Sequence, residues 1–133
     1  MTLGGLILRF SVAYLLALVC GLLMAFYFTR ASTLVITTAA LAASTLYVCQ
    51  LFRRRNGRSL GGREMAVAWL AFLLIDVVLQ VLSRLAFVGT DAAGLEHLRQ
   101  FVGGDLIFIT VLHGFCILAF MVMAGRIKDK QRG

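Results

Sequence analysis

The sequence predicts an all-α integral membrane protein, a bundle of four transmembrane helices in antiparallel up-down order. Of its 133 residues, 61% are hydrophobic and 14% are charged, whereas soluble domains typically have about 45–50% and about 25%. The mean hydropathy is +0.94, which is typical of a chain solvated by lipid. No segment alternates polar and apolar residues with period two, so the apolar runs are helices and not strands of a membrane barrel.

Each of four apolar runs is long enough to cross the membrane, because about 20 helical residues span about 30 Å of hydrocarbon. The predicted spans of this single domain, residues 1–133, cover residues 10–29, 31–52, 65–87 and 106–125. The first run is bounded by Arg9 and Arg30, and the second ends at Arg53. Between the third and fourth runs, Leu95, Leu98 and neighbouring apolar residues recur at helical spacing, which predicts a short interfacial helix.

The distribution of basic residues predicts the orientation of the chain. With the N-terminus inside, ten of the 13 lysines and arginines lie on the cytoplasmic side: Arg9, Arg53, Arg54, Arg55, Arg58, Arg63, Arg126, Lys128, Lys130 and Arg132. Both termini are therefore expected in the cytoplasm. A cleaved signal peptide ending near Ala31 is the alternative, but residues 10–29 exceed the usual apolar run of about 7–15 residues. An uncleaved first span is favoured.

Small residues repeat every fourth position along the first span. This ridge consists of Ala13, Ala17, Gly21 and Ala25. Minimal side chains on one helix face allow another backbone to approach closely. The ridge is expected to pack against the second span or against another copy of the chain.

Arginines dominate the predicted cytoplasmic loop, where Arg53, Arg54, Arg55 and Arg58 precede the third span. They are ordinary positive-inside residues or contacts for anionic lipid headgroups. The net charge of +7 does not predict a nucleic-acid partner, because the basic residues lie between the apolar runs. The expected partners are the lipid bilayer and its anionic headgroups, with a membrane protein partner or a homo-oligomer as further possibilities.

Polar residues interrupt the third and fourth spans in a matching pattern. Helices that follow each other are antiparallel, so residues at equal depth have numbers that add to a constant. The sums are 189 for Asp76 and His113, 190 for Gln80 and Thr110, and 189 for Arg84 and Asp105. This intramembrane polar ladder predicts three facing pairs. The pair at the outer interface, Arg84 with Asp105, is expected to loosen first, because both groups can reach water there.

Two interpretations of the ladder are open. In the structural one, it satisfies buried polar groups and fixes the register of two helices. In the functional one, Asp76 and His113 form a titratable pair near the middle of the membrane that relays a proton or cation.

No arrangement of residues points to catalysis. The chain has no Gly-x-Ser-x-Gly, no HExxH and no Walker lysine. Its three cysteines, Cys20, Cys49 and Cys116, are far apart and are expected to be buried as small apolar side chains. The sequence therefore predicts no enzyme, no cofactor and no metal site.

The first half of the chain resembles a family of short, four-span bacterial inner-membrane proteins of unassigned function. The shared pattern is Arg9-Phe10…Tyr14, then Tyr47…Gln50…Phe52…Gly57-Arg58…Glu64. The chain departs from it at Leu60, where the family tends to have proline. The resemblance implies location in a bacterial inner membrane and implies no substrate, cofactor or catalytic residue.

Three functional hypotheses follow. The first is a non-catalytic membrane interaction protein, either an accessory subunit or an immunity-type protein that neutralises a membrane-directed toxin. The alternative is a small oligomeric proton- or ion-linked transporter or channel that uses Asp76 and His113. The third is a protein that binds lipid headgroups through its loop arginines.

Overall fold

The computed structural model describes residues 1–27, 32–87 and 92–126 as a helical protein. The helices are α1 (Leu3–Tyr27), α2 (Thr33–Asn56), α3 (Gly62–Phe87), α4 (Ala92–Gln100) and α5 (Leu106–Arg126). A π-helical turn, Phe101–Asp105, joins α4 to α5. Four helical segments are long and apolar enough to cross a membrane, and the described residues include no strand.

The four predicted spans correspond to the four long helices α1, α2, α3 and α5. At the end of the bundle near the α2–α3 loop, the helices extend beyond the predicted spans. α1 begins seven residues before the predicted first span and includes Arg9, and α4 occupies the place of the predicted interfacial helix. The connection between the first two predicted spans, together with Arg30, lies outside the described residues, as do Lys128, Lys130 and Arg132.

Local capping explains where α2 and α3 end and begin. Ser32 accepts a hydrogen bond from the backbone of Val35 at the start of α2. Gly57 ends this helix in the left-handed conformation, with φ of 66°, and its N–H donates to the carbonyl of Arg53. Only glycine adopts this conformation without steric cost. At the start of α3, the Glu64 carboxylate accepts from the backbone N–H of Gly61, 2.9 Å away, as in a capping box.

The four long helices form a ring in the order α1, α2, α5, α3. The contacts between α1 and α2 run in opposite directions along the two helices. Asn56, at the end of α2, donates to the carbonyl of Met1, 2.9 Å away, while Ile36 near the start of α2 contacts Gly21 late in α1. α3 and α5 are also antiparallel, because Trp69 donates to Gly114 while Arg84 contacts Phe101.

Aromatic side chains fill the half of the bundle that lies near the α2–α3 loop. Phe10 of α1 stacks on Phe72 of α3 with ring centroids 3.8 Å apart, and it also stacks on Tyr14. All three side chains are fully buried. Large apolar side chains on the outer surface, such as Phe108 and Phe115, are mostly exposed. This distribution suits a bundle surrounded by lipid, where exposed apolar surface carries no penalty.

The small-residue ridge packs within the chain where the structure describes it. A Cβ atom added to Gly21 would lie 2.7 Å from the Cγ2 atom of Ile36 in α2. Ala13 and Ala17 pack against the buried core. The side chain of Ala25 lies outside the described part of the structure. The absence of a side chain at Gly21 therefore lets α1 approach α2.

Candidate functional site

A buried carboxylate lies near the middle of α3. Asp76 is fully buried and accepts hydrogen bonds at both oxygens. The hydroxyl of Tyr14 in α1 donates to Oδ1. One turn further along α3, Nε2 of Gln80 donates to Oδ2 at 2.6 Å. The carboxylate also lies 2.8 Å from Nδ1 of His113, measured from Oδ2.

His113 completes the connection from α3 to α5 and α2. Its ring is fully buried, and its second nitrogen, Nε2, lies 3.1 Å from the hydroxyl oxygen of Thr38 in α2. Thr38 itself donates to the carbonyl of Leu34 at 2.7 Å. The Nδ1 atom also lies 3.2 Å from Nε2 of Gln80. Both ring nitrogens are therefore occupied by side chains from other parts of the bundle.

These five residues form one hydrogen-bonded group, which we call the polar cluster: Tyr14, Thr38, Asp76, Gln80 and His113. Every long helix contributes at least one member. Polar groups buried at membrane depth are costly unless paired, and here each is paired with another member. The cluster can fix the rotation of four helices, and it can hold protons between a carboxylate and an imidazole.

The structure brings together the first predicted pair of the ladder but not the second. Asp76 faces His113, as the depth argument predicts. Gln80 turns back to Asp76 and does not meet Thr110, which lines a groove beside Trp69. Thr110 precedes His113 by three residues, which places it about 60° away around an ideal helix. Equal depth therefore did not imply a shared face.

The third predicted pair is absent, and the prediction of an Arg84–Asp105 contact was wrong. No salt bridge joins these two residues, although the structure describes both and both are exposed. The guanidinium of Arg84 instead lies over the ring of Phe101, 4.7 Å from its centroid. Arg84 is about 80° around an ideal helix from Asp76. At the outer end water can solvate both charges, so nothing holds them together.

Two members of the cluster, Tyr14 and Thr38, were not among the predicted site residues. Tyr14 was noted only as part of the family resemblance. A signal was available in both cases, since a tyrosine or threonine inside an apolar span needs a hydrogen-bond partner when it is buried. Which of the several hydroxyl residues faced the bundle interior depended on helix rotation.

The loop arginines have separate roles in the structure. Arg58 forms two hydrogen bonds with the carboxylate of Glu64, at 2.6 and 2.8 Å, and lies over the ring of Phe52. These hydrogen bonds raise the pKa of the Arg58 guanidinium above its usual value. Arg53 donates to the carbonyl of Ala124 at 3.5 Å. Arg54 and Arg55 are exposed at the end of α2. Of the four predicted lipid contacts, Arg58 is therefore already paired with an acid.

An apolar groove of about 430 Å³ runs between α3 and α5 on the outer surface of the bundle. Its lining residues are Trp69, Leu73, Thr110, Val111, Gly114, Phe115 and Leu118. The indole of Trp69, which lines the groove, donates to the carbonyl of Gly114 at 2.8 Å. A Cβ atom added at Gly114 would lie at ordinary contact distance, 3.5 Å from Trp69 and 3.7 Å from Leu73.

The cysteines are unpaired: Cys49 is buried, Cys116 is half-buried, and Cys20 is exposed on the surface of α1 instead of buried. Within residues 1–27, 32–87 and 92–126, no three His, Cys, Asp or Glu side chains lie close enough together to hold a metal ion.

Comparison with known proteins gives no relative for this chain: no family model, no curated protein and no solved structure matches it.

Proposed function

We propose that the chain is a non-catalytic integral membrane interaction protein, and that a transmembrane helix of its partner packs into the groove between α3 and α5. The groove offers an apolar surface whose lining includes two aromatic side chains, Trp69 and Phe115. Helices associate in membranes through van der Waals packing of complementary surfaces.

The single observation that carries this proposal is the exposed apolar edge of the groove on α5. Val111, Phe115 and Leu118 line the groove there and are 41–70% exposed. Thr110 lines the groove as well, but the surface that it presents there is apolar. In contrast, the polar side chains that face the bundle interior around Asp76 bond to one another. A partner helix seated in the groove would gain van der Waals contacts with these apolar side chains.

The more specific form of the proposal is an accessory subunit or an immunity-type protein against a membrane-directed toxin, in the inner membrane of a bacterium. We expect both termini in the cytoplasm. Exposed Arg54, Arg55 and Arg63 lie beside the α2–α3 loop, and basic residues of this kind favour the cytoplasmic side of the membrane. A periplasm-dependent reporter fused at Gly133 should be inactive and the same reporter near Gly94 active. Activity at Gly133 contradicts this orientation.

Co-purification with matched variants tests the interaction. The tagged chain is purified in mild detergent from native membranes, and its partners are quantified. Phe115→Ala should reduce the amount of a stoichiometric membrane partner several-fold, because Phe115 lines the groove and is exposed. Phe108→Ala is the control, because Phe108 is as exposed as Phe115 but lies outside the groove. Recovery of the chain alone, or only with copies of itself, contradicts the proposal.

A small oligomeric proton- or ion-linked transporter or channel is the second candidate, and the contact between Asp76 and His113 favours it. A carboxylate beside an imidazole at membrane depth is the arrangement that proton relays use. Liposomes containing the purified protein should then show pH-dependent flux that disappears in Asp76→Asn. Flux that persists in this variant, or that is absent from the unmodified protein, contradicts the transporter hypothesis.

A further inference from the structure

The hydrogen bonds of the polar cluster determine how many protons it holds. Thr38 has one hydroxyl hydrogen, and its oxygen lies 2.7 Å from the carbonyl oxygen of Leu34. A carbonyl oxygen can only accept, so the hydrogen lies between these two oxygens. The hydroxyl of Thr38 is therefore left with its lone pairs facing Nε2 of His113, 3.1 Å away.

It follows that Nε2 of His113 carries a hydrogen. If it did not, two lone pairs would face each other at hydrogen-bond distance inside the bundle. With Nε2 as the donor, the bond runs from His113 to Thr38 and on to the backbone of α2. The protonation of one of the two ring nitrogens, Nε2, is thereby assigned.

The same argument applies to the other nitrogen. Nδ1 of His113 and Oδ2 of Asp76 are 2.8 Å apart. The amide of Gln80 donates to Oδ2 and lies 3.2 Å from Nδ1, but it does not separate these two acceptors from each other. Without a proton between Nδ1 and Oδ2, their lone pairs would therefore face each other. That proton resides on the nitrogen, giving an imidazolium beside a carboxylate, or on the oxygen, giving a neutral imidazole beside a carboxylic acid. In both cases the charges of the two residues sum to zero.

We infer that Asp76 and His113 together form a proton-binding site that holds one shared proton between Oδ2 and Nδ1, in a cluster of zero net charge. The groups that face the pair from every packed element are uncharged donors or acceptors: Tyr14 from α1, Thr38 from α2 and Gln80 from α3.

Zero net charge is the state that the membrane favours. An isolated ionised group in a medium of low dielectric constant loses its hydration, whereas a paired and hydrogen-bonded group keeps compensating contacts. Removal of the shared proton would leave a negative charge at the centre of four helices. The proton is therefore part of the folded structure, as the side chains are.

Nitrogen-15 NMR of the full chain in lipid nanodiscs tests this inference. A His97→Gln background leaves His113 as the only histidine. The expected spectrum shows a hydrogen directly bonded to Nε2 and a strongly deshielded proton between Nδ1 and Oδ2. An unprotonated Nε2, or the absence of the deshielded proton, overturns the inference.

Matched variants locate the two hydrogens. Asp76→Asn should abolish the deshielded signal, whereas Asp105→Asn, which changes an exposed carboxylate, should leave it intact. Thr38→Val should change the chemical shift of the hydrogen on Nε2, because this variant removes the oxygen that accepts its hydrogen bond. The neighbouring Thr37→Val should not, because Thr37 bonds only to the backbone of its own helix. Equal effects of the two threonine variants contradict the assignment of Thr38.

Discussion

At the scale of single residues, the bundle depends on positions whose neighbours restrict which residue type can be accommodated. Tyr14 is fully buried, and its hydroxyl donates to Asp76. Gly21 is packed so closely against Ile36 that no side chain fits. Each makes a specific contact between two helices, and each has a counterpart of the same residue type elsewhere in the chain without that contact.

We predict that Tyr14→Phe destabilises the protein, because it removes a donor and leaves Oδ1 of Asp76 with one hydrogen bond fewer. The loss of a buried bond of this kind costs about 1–3 kcal/mol. Thermal unfolding in detergent measures it, with Tyr47→Phe as the control, since Tyr47 is 58% exposed. Equal melting temperatures for the two variants would show that the Tyr14 hydroxyl makes no net contribution.

Gly21→Ala is expected to separate α1 from α2. The new methyl group would lie 2.7 Å from Cγ2 of Ile36, a methyl group on a branched Cβ whose χ1 rotation is restricted in a helix. Overpacking of this kind costs about 1–3 kcal/mol. Gly4→Ala is the control in the same helix, because an added Cβ there meets no atom within 4 Å. Removing the clash with Ile36→Ala should restore part of the stability lost in Gly21→Ala, and failure to do so argues against a steric cause.

At the scale of elements, the loop between α2 and α3 shows how charges that look equivalent in sequence differ in the structure. Arg58 closes the loop onto Glu64 and also lies over Phe52. Arg54 and Arg55 lie in the last turn of α2 and are exposed. Basic side chains near the surface of an anionic membrane attract its headgroups. The exposed pair is the better candidate for lipid contact.

Replacing both Arg54 and Arg55 with glutamine should reduce the anionic lipid retained by the purified protein, by about five-fold per arginine. Arg58→Gln should change lipid retention much less, because its guanidinium is paired with Glu64. Mass spectrometry of lipids bound after detergent extraction provides the measurement. A larger loss for Arg58→Gln than for the double variant would reverse this assignment.

At the scale of the whole molecule, the polar cluster is the point where all four long helices meet. Asp76 accepts from α1 and from its own helix, and it shares a contact with α5, which in turn reaches α2 through His113. Apolar packing between helices is weakly directional in lipid, so such a network determines how the helices are rotated relative to one another.

Asp76→Leu should therefore destabilise the entire bundle and not one helix pair. It leaves the hydrogen-bond donors of Tyr14, Gln80 and His113 without an acceptor inside the bundle. Breaking a buried charged pair typically costs about 3–5 kcal/mol. Denaturation of the protein by sodium dodecyl sulfate in mixed micelles measures the loss. Asp105→Leu, at an exposed position, should have little effect. Similar unfolding of both variants would mean that the cluster is incidental to stability.

The four helices and the depth of their polar residues follow from length, hydropathy and order along the chain, which are local properties. Depth was enough to pair Asp76 with His113. Helix rotation, in contrast, depends on tertiary contacts, which brought Tyr14 and Thr38 into the cluster and placed Thr110 beside the groove. Rotation could not be predicted because these helices are apolar on nearly every face, so no polar side marks the outside. Rotation follows instead from contacts between distant residues, such as Gly21 with Ile36.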